Sequence, residues 1–464
     1  MNNLFEAITT KDTFTENAMP THSTSGNGLL DMFFKMGGSR NLSDRELERI
    51  FQIALSENEE LAVRAMFYNR DVRGGQGERR SFRVFLRYLM NNYSIIASEI
   101  LYLVPEYGRW DDLLVGINTP VEEYVINTIG NALALGDKLC AKWMPREGKA
   151  NDKIAKVIMK GLHLTPRDYR LLLAGNTDVV ETSMSKGNWA EINYSHVPSV
   201  AMKNYRKAFR NHDEVGFSKY MDKVESGEVK INASAIFPHD LVRQYIRGNN
   251  KDRVLESQWK SLPNYIEEGK TFLPVVDTSG SMFGLPMEVA VSLGIYLSER
   301  NKSVFKDGFI TFSTNPELQY LRGKTLHSKV NELSTANWGF NTNLNAVFSL
   351  ILRKAVSGGL KQADLPSYII ILSDMQFDRA ARGSDTALEM IRREYSSAGY
   401  EVPKLIFWNL RTSSGVPVKV TDTGVALVSG FSPSIMKQIL SGEVSPIRIM
   451  MGVLDSDRYA DIKI

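Results

Sequence analysis

Apolar positions in residues 29–270 recur every three to four residues, the spacing that sets side chains on one face of an α-helix. Leu47, Ile50, Phe51 and Leu55 form the first clear stripe. Ser43-Asp-Arg-Glu46 precedes it, a serine and a glutamate spaced to cap each other across a helix N-terminus. The pattern predicts amphipathic helices over 119–138, 149–163, 165–173, 197–211, 213–225, 235–247 and 251–268, and a short helix after Tyr107-Gly108 with Trp110 buried. Strand signals are almost absent here. Helix pairs on short connections read as an α-solenoid of the HEAT or armadillo type.

After Lys270 the period changes. Unbroken apolar runs predict buried strands at 272–277, 306–312, 318–322, 367–373, 403–409 and 425–429, alternating with helices near 286–300, 343–356, 384–398 and 433–440. Such alternation specifies a doubly wound, Rossmann-like sheet, to which residues 447–454 add a late strand. Residues 1–28 include Thr21-His-Ser-Thr-Ser-Gly-Asn-Gly28, rich in turn formers and poor in apolar groups, and read as a flexible arm that docks elsewhere. The expected division is an arm (1–28), a helical-repeat region (29–270) and an α/β domain (271–464).

The chain's 464 residues suffice for two or three domains, and its net charge of +3 requires any basic surface to be local. Cys140 stands alone, which excludes a disulfide framework and a multi-cysteine zinc site. No apolar run reaches membrane-span length, and the N-terminus lacks the basic start and apolar core of a signal peptide. The expectation is a soluble, cytoplasmic protein without a membrane partner.

Charge is unevenly placed. Lys149, Lys153, Lys156 and Lys160 follow helical spacing, as do Lys203, Arg206, Lys207 and Arg210, with few acids interleaved. Such rows are the electrostatic footprint of a phosphate-binding surface. Residues 70–83 add three glycines beside Arg73, Arg79 and Arg80 at a helix start. That stretch is either a phosphate cradle or a tight inter-helix turn with solvated charges.

The sharpest chemistry lies at 272–282. An apolar run ends in Asp277, and Ser279 and Ser281 follow at alternate positions, a set of hard oxygens suited to Mg²⁺. This run resembles the metal-ion-dependent adhesion site (MIDAS) of the von Willebrand factor A domain. The resemblance implies a threonine from a later loop and an aspartate at a further strand tip. Thr342, in Trp338-Gly-Phe-Asn-Thr-Asn343, and Asp374, ending the run from Ser367, match in order. These five residues are therefore expected to hold one Mg²⁺ or Mn²⁺. The implied open position takes a partner's Asp or Glu, a phosphate by the same chemistry, or an acid of the chain's own arm, which carries Glu6, Asp12 and Glu16.

The chain as a whole resembles the Ro autoantigen family, in which a helical TROVE region precedes an A domain. The residues carrying this are 70–83, Gly108-Arg-Trp-Asp-Asp112, Lys142-Trp-Met-Pro-Arg146, Val197-Pro-Ser-Val-Ala201, 277–281 and Ser373-Asp-Met-Gln-Phe-Asp378. The resemblance implies a ribonucleoprotein scaffold whose helical ring takes structured or single-stranded RNA, closed by the A domain. The other reading is a metal-dependent adhesion or assembly factor without RNA. Catalysis is not expected, because the six histidines are scattered and no nucleophile-base set or His-Glu-x-x-His motif is present.

Overall fold

The computed structural model describes residues 13–248, 250–266, 269–312, 316–335, 342–378, 386–411, 415–441 and 444–464. The arm opens with a short antiparallel pair, β1 (Thr13–Phe14) and β2 (Pro20–Thr21). Among the described residues six further strands form one sheet: β3 (Phe272–Val276), β4 (Gly308–Thr311), β5 (Leu318–Tyr320), β6 (Tyr368–Ser373), β7 (Lys404–Asn409) and β8 (Val425–Ser429). Their order is β5-β4-β3-β6-β7-β8, parallel throughout except for β5.

Every residue of β3, β4, β6 and β8 is buried, so both faces of the sheet are covered. This is why these segments read as continuous apolar runs rather than alternating ones. The expected strands all form within two residues of their predicted ends. Residues 447–454 do not: they belong to the helix Pro446–Leu454, with Ser445 accepting from the Arg448 N–H and proline at the first turn. Ile449, Met450, Val453 and Leu454 bury one helical face, a spacing that a short apolar run does not separate from a strand.

The helical region precedes this α/β unit. The expected capping box forms at helix Asp44–Glu57, where the Ser43 N–H donates to Glu46 Oε2 at 2.8 Å and the Glu46 N–H to Ser43 Oγ at 3.3 Å. Trp110 is only half-buried, at the edge of the core. Helix Gly28–Met36 packs against β8 and Pro446–Leu454 and Glu59–Arg70 against Pro446–Leu454, whereas Pro238–Ile246 packs on Leu285–Arg300 and Leu326–Thr335. Both ends of the helical region therefore rest on the α/β unit. They also meet each other, since a Cβ added at Gly77 would lie 2.4 Å from the Phe237 ring. One apolar core runs through residues 19–173, 233–266 and the sheet, while a separate small core, including Tyr194, Met202, Phe209 and Phe217, lies among the helices from Val180 to Glu225. No helix among the described residues is long and apolar enough to cross a membrane.

Candidate metal centre

Strand order reverses between β3 and β6, and the crevice beyond the carboxyl ends of strands at such a point is where open α/β sheets bind ligands. Asp277 follows β3 directly and is fully buried. Its N–H donates to Leu372 O of β6 at 2.9 Å. Its two carboxylate oxygens accept from the Ser279 N–H at 2.9 Å and from Ser373 Oγ at 2.6 Å, which fixes the side chain's direction. The hydroxyls of Ser279 and Ser281 stand 3.2 Å apart.

Asp374 leaves β6 at the same level, 2% exposed. Its Oδ1 accepts from the Gln376 N–H at 3.2 Å, and the nearby Ser281 hydroxyl acts to lower the pKa of the same carboxyl. Met375 sits in the left-handed region, at φ 64°, held by its N–H donating to Ser373 Oγ at 3.0 Å. A non-glycine residue there is uncommon and marks a turn over-determined by its surroundings.

Thr342 is 1% exposed and locked to the same rim. Its N–H donates to Asp378 Oδ2 at 3.0 Å, and its carbonyl accepts from the Asp378 N–H at 3.1 Å. The preceding loop residues 338–341 lie outside the described residues. The structure thus links Asp277 to Ser279 and Ser279 to Ser281, sets Asp374 at the neighbouring strand end, and ties Thr342 to the loop just past Asp374.

Two residues of this rim escaped the sequence reading. Asp378 anchors Thr342, and Arg411, past the end of β7, donates to the Ser281 carbonyl. The acid ending Asp-Met-Gln-Phe-Asp was a visible signal for the first; nothing local marked the second.

Burial, and then the negative charge of Asp374, push the Asp277 carboxyl well above the ordinary carboxylate range. Burial also raises the Asp374 carboxyl, against the Ser281 hydroxyl, the Gln376 N–H and the nearby Arg411 cation, while Glu16 adds to the rise. Two buried carboxylates beside two hydroxyls form a donor set that a hard divalent cation would relieve. The residues present therefore fit Mg²⁺ or Mn²⁺. Among the described residues no three His, Cys, Asp or Glu side chains gather as a metal site.

The residues expected to meet RNA divide. Lys203 is buried and donates to Asp240 at 3.0 Å; Arg206 is buried and donates to Asp252 at 3.1 Å; Arg210 reaches the same Asp252 at 3.4 Å. Lys203 and Arg206 are thus internal ion pairs, not an open phosphate surface, and of this row Lys207 and Arg210 are exposed. The acids that pair with them lie some 40 residues on, which helical spacing does not reveal.

The glycine turn resolves as a turn. The N–H groups of Gln76, Gly77 and Glu78 donate to the carbonyls of Tyr68, Asp71 and Asn69, so they are not free to cradle a phosphate. Arg73, Arg79 and Arg80 are all exposed, Arg80 bonding Asp44 and the Leu42 carbonyl and Arg73 the Glu106 carbonyl. Lys149, Lys153, Lys156 and Lys160 are all exposed. The helix begins at Asp152, leaving Lys149 in the turn before it, and Lys156 pairs with Asp152 at 2.7 Å.

Comparison with known proteins places two domains of unknown function on this chain: DUF2828 over residues 15–98 and 166–271, and DUF7788 over residues 272–451. The chain is also similar to the Uncharacterized protein L728 of Acanthamoeba polyphaga mimivirus. The two are 32% identical over 502 aligned residues, which span 95% of this chain and 87% of the relative.

Proposed function

This chain belongs to the family of the uncharacterised mimivirus protein L728, and from that footing we propose that it is a non-enzymatic, metal-dependent binding protein of the A-domain type. Asp277, Ser279, Ser281, Thr342 and Asp374 hold one Mg²⁺ or Mn²⁺, and the ion captures an acidic side chain of a protein partner. The observation that carries this reading is the buried Asp277–Asp374 pair with two serine hydroxyls between strand ends. Neutral hydroxyls leave the ion electrophilic, so it retains affinity for one more carboxylate oxygen. The surroundings suit such a partner. Phe283, 89% exposed just past Ser281, offers an apolar contact, and Arg411 offers a cation at the same rim.

Titration of MnCl₂ into the wild type and Asp277→Asn tests the reading. The wild type should bind one ion and, at about 100 times Kd, gain about 2.7 kcal/mol of stability. Asp277→Asn should lose both, yet be at least as stable as wild type in EDTA, because it removes a buried charge from beside Asp374. Asp277→Ala is the poorer variant: the side chain is fully buried and its loss strands the Ser373 hydroxyl. Absence of Mn²⁺ binding by the wild type would refute the metal reading.

A second reading keeps the Ro-like RNA scaffold, with the helical region as a TROVE-like, HEAT-type arrangement around the A domain. The exposed row Lys149, Lys153, Lys156 and Lys160 favours it. Reversing Lys153, Lys156 and Lys160 to Glu should then weaken RNA of every sequence alike and flatten the salt dependence. Unchanged RNA affinity removes this reading and leaves the metal site untouched.

A further inference from the structure

We infer that Glu16 is the chain's own ligand for the ion at this centre, its carboxylate occupying the coordination position that a partner's acid would otherwise take. This rests on the metal reading above and adds its regulation. Four consecutive arm residues are fastened to the loop that follows Asp374. Thr15 Oγ1 donates to Phe377 O at 2.7 Å, the Glu16 N–H to Gln376 Oε1 at 2.6 Å and Asn17 Nδ2 to Gln376 O at 2.8 Å, while Ala18 pairs with Asp378 as an antiparallel bridge. Gln376 in turn donates its own N–H to Asp374 Oδ1 at 3.2 Å, so a single residue separates the Glu16 backbone from a metal-site carboxylate.

The arm's local structure holds Glu16 at the tip of a closed turn. The Ala18 N–H donates to Thr15 O at 3.0 Å, the Thr15 N–H to Met19 O at 2.9 Å, and Ala18 adopts φ 65° to complete the reversal. Pairing of β1 with β2 clamps its ends, and Met19, Pro20 and Thr21 are buried, leaving Glu16 and Asn17 exposed. Further along, His22 exchanges backbone hydrogen bonds with Val416 at 3.2 and 2.7 Å, which anchors the arm beyond the turn.

The result brings a third carboxylate to the rim of a crevice that already buries two. A divalent cation would make that approach favourable. Among the described residues the acids do not yet stand at metal-binding distance, so Glu16 turns inward from its exposed rotamer when the ion enters. Ion loading then tightens the arm, and a partner's acid must displace it.

The test uses the full chain, Mn²⁺ as probe, and wild type beside Glu16→Gln and Asp277→Asn. Water-proton relaxation should show bound Mn²⁺ in Glu16→Gln holding one more exchangeable water than in the wild type, with affinity about tenfold weaker, in the range for losing one supporting group of a metal site. Equal hydration of the ion in the two proteins overturns the inference while leaving the metal site standing. If the wild type binds Mn²⁺ no better than Asp277→Asn, the metal reading itself has failed, and the role of Glu16 falls with it.

Discussion

Asp112 is fully buried and accepts from Arg70 Nε at 2.7 Å, Arg83 Nε at 2.6 Å and the Arg109 N–H at 3.0 Å. Asp111 beside it takes the Arg83 and Arg109 guanidinium groups, and Arg109 also lies 3.8 Å over the Trp143 ring. Residues that stood out in the sequence as separate motifs are thus one ion network joining helices Glu59–Arg70 and Arg80–Asn92 to the turn at 110–116. Asp112→Ala leaves Arg70, 4% exposed, without its counter-ion, a loss expected to cost about 3–5 kcal/mol in urea unfolding. His239 supplies a pH dependence at the same scale. Burial pushes its imidazole down to about 4; Asp240 opposes this, whereas Arg40, Arg243 and Lys203 reinforce it. The folded ring stays neutral while the unfolded chain takes up a proton below about 6.5, so the unfolded state binds more protons and stability falls as pH drops from about 6.5 to 4. The window spans up to about 3 kcal/mol. His239→Gln should flatten this part of the pH–stability curve, and an unchanged slope would assign the acid sensitivity elsewhere.

At the scale of elements, the glycine turn between Arg70 and Arg80 makes the next prediction. A Cβ at Gly75 would sit 2.0 Å from the Tyr68 carbonyl, a backbone atom that also accepts the Gln76 N–H. Gly75→Ala should therefore destabilise by about 3 kcal/mol, the upper end for overpacking. A phosphate cradle would instead predict lost anion affinity at unchanged stability, so denaturation and phosphate titration on one variant decide between them. The sheet was legible because strands buried on both faces have no other way to be written, and Asp277 and Asp374 were legible because strand ends are where polar groups first appear. The basic rows were legible only in part. Lys207 and the 149–160 row are exposed as their spacing predicts, but Lys203 and Arg206 point inward to acids contributed by distant segments, and helical periodicity carries no information about those. The arm was hidden for the same reason: its partners, residues 376–378 and 416–420, lie some 360 to 400 positions away.

The helical region and the α/β unit are fastened to each other across the point where the sequence period changes. Ser429 of β8 donates to the Phe33 carbonyl at 2.8 Å, and Gln76 Nε2 donates to Ser429 Oγ at 2.9 Å. Arg458 bonds Asp71 at 2.9 and 3.2 Å, and Glu256 accepts from the Leu326 and His327 N–H groups at 2.8 and 3.0 Å. Asp71 and Glu256 are both buried, so cutting the chain at residue 270 strips two interior carboxylates of their partners beyond the cut, leaving Asp71 the Arg73 N–H and Glu256 the Tyr245 hydroxyl, and bares the apolar faces of Gly28–Met36 and Pro238–Ile246. Uncompensated interior charge and exposed core are each worth several kcal/mol, comparable to the whole stability of a domain. Residues 13–270 expressed alone should therefore fail to fold, and the full chain should unfold in one transition seen alike by far-ultraviolet circular dichroism and by tryptophan fluorescence, with Trp110, Trp143 and Trp189 reporting on the helices and Trp408 on the sheet. Mn²⁺ bound at residues 277–374 should shift both signals together, since stabilising one part of a cooperative unit stabilises all of it. Two resolved transitions, with only the Trp408 signal responding to Mn²⁺, would mean that the helices and the sheet are separate bodies joined by a dispensable interface.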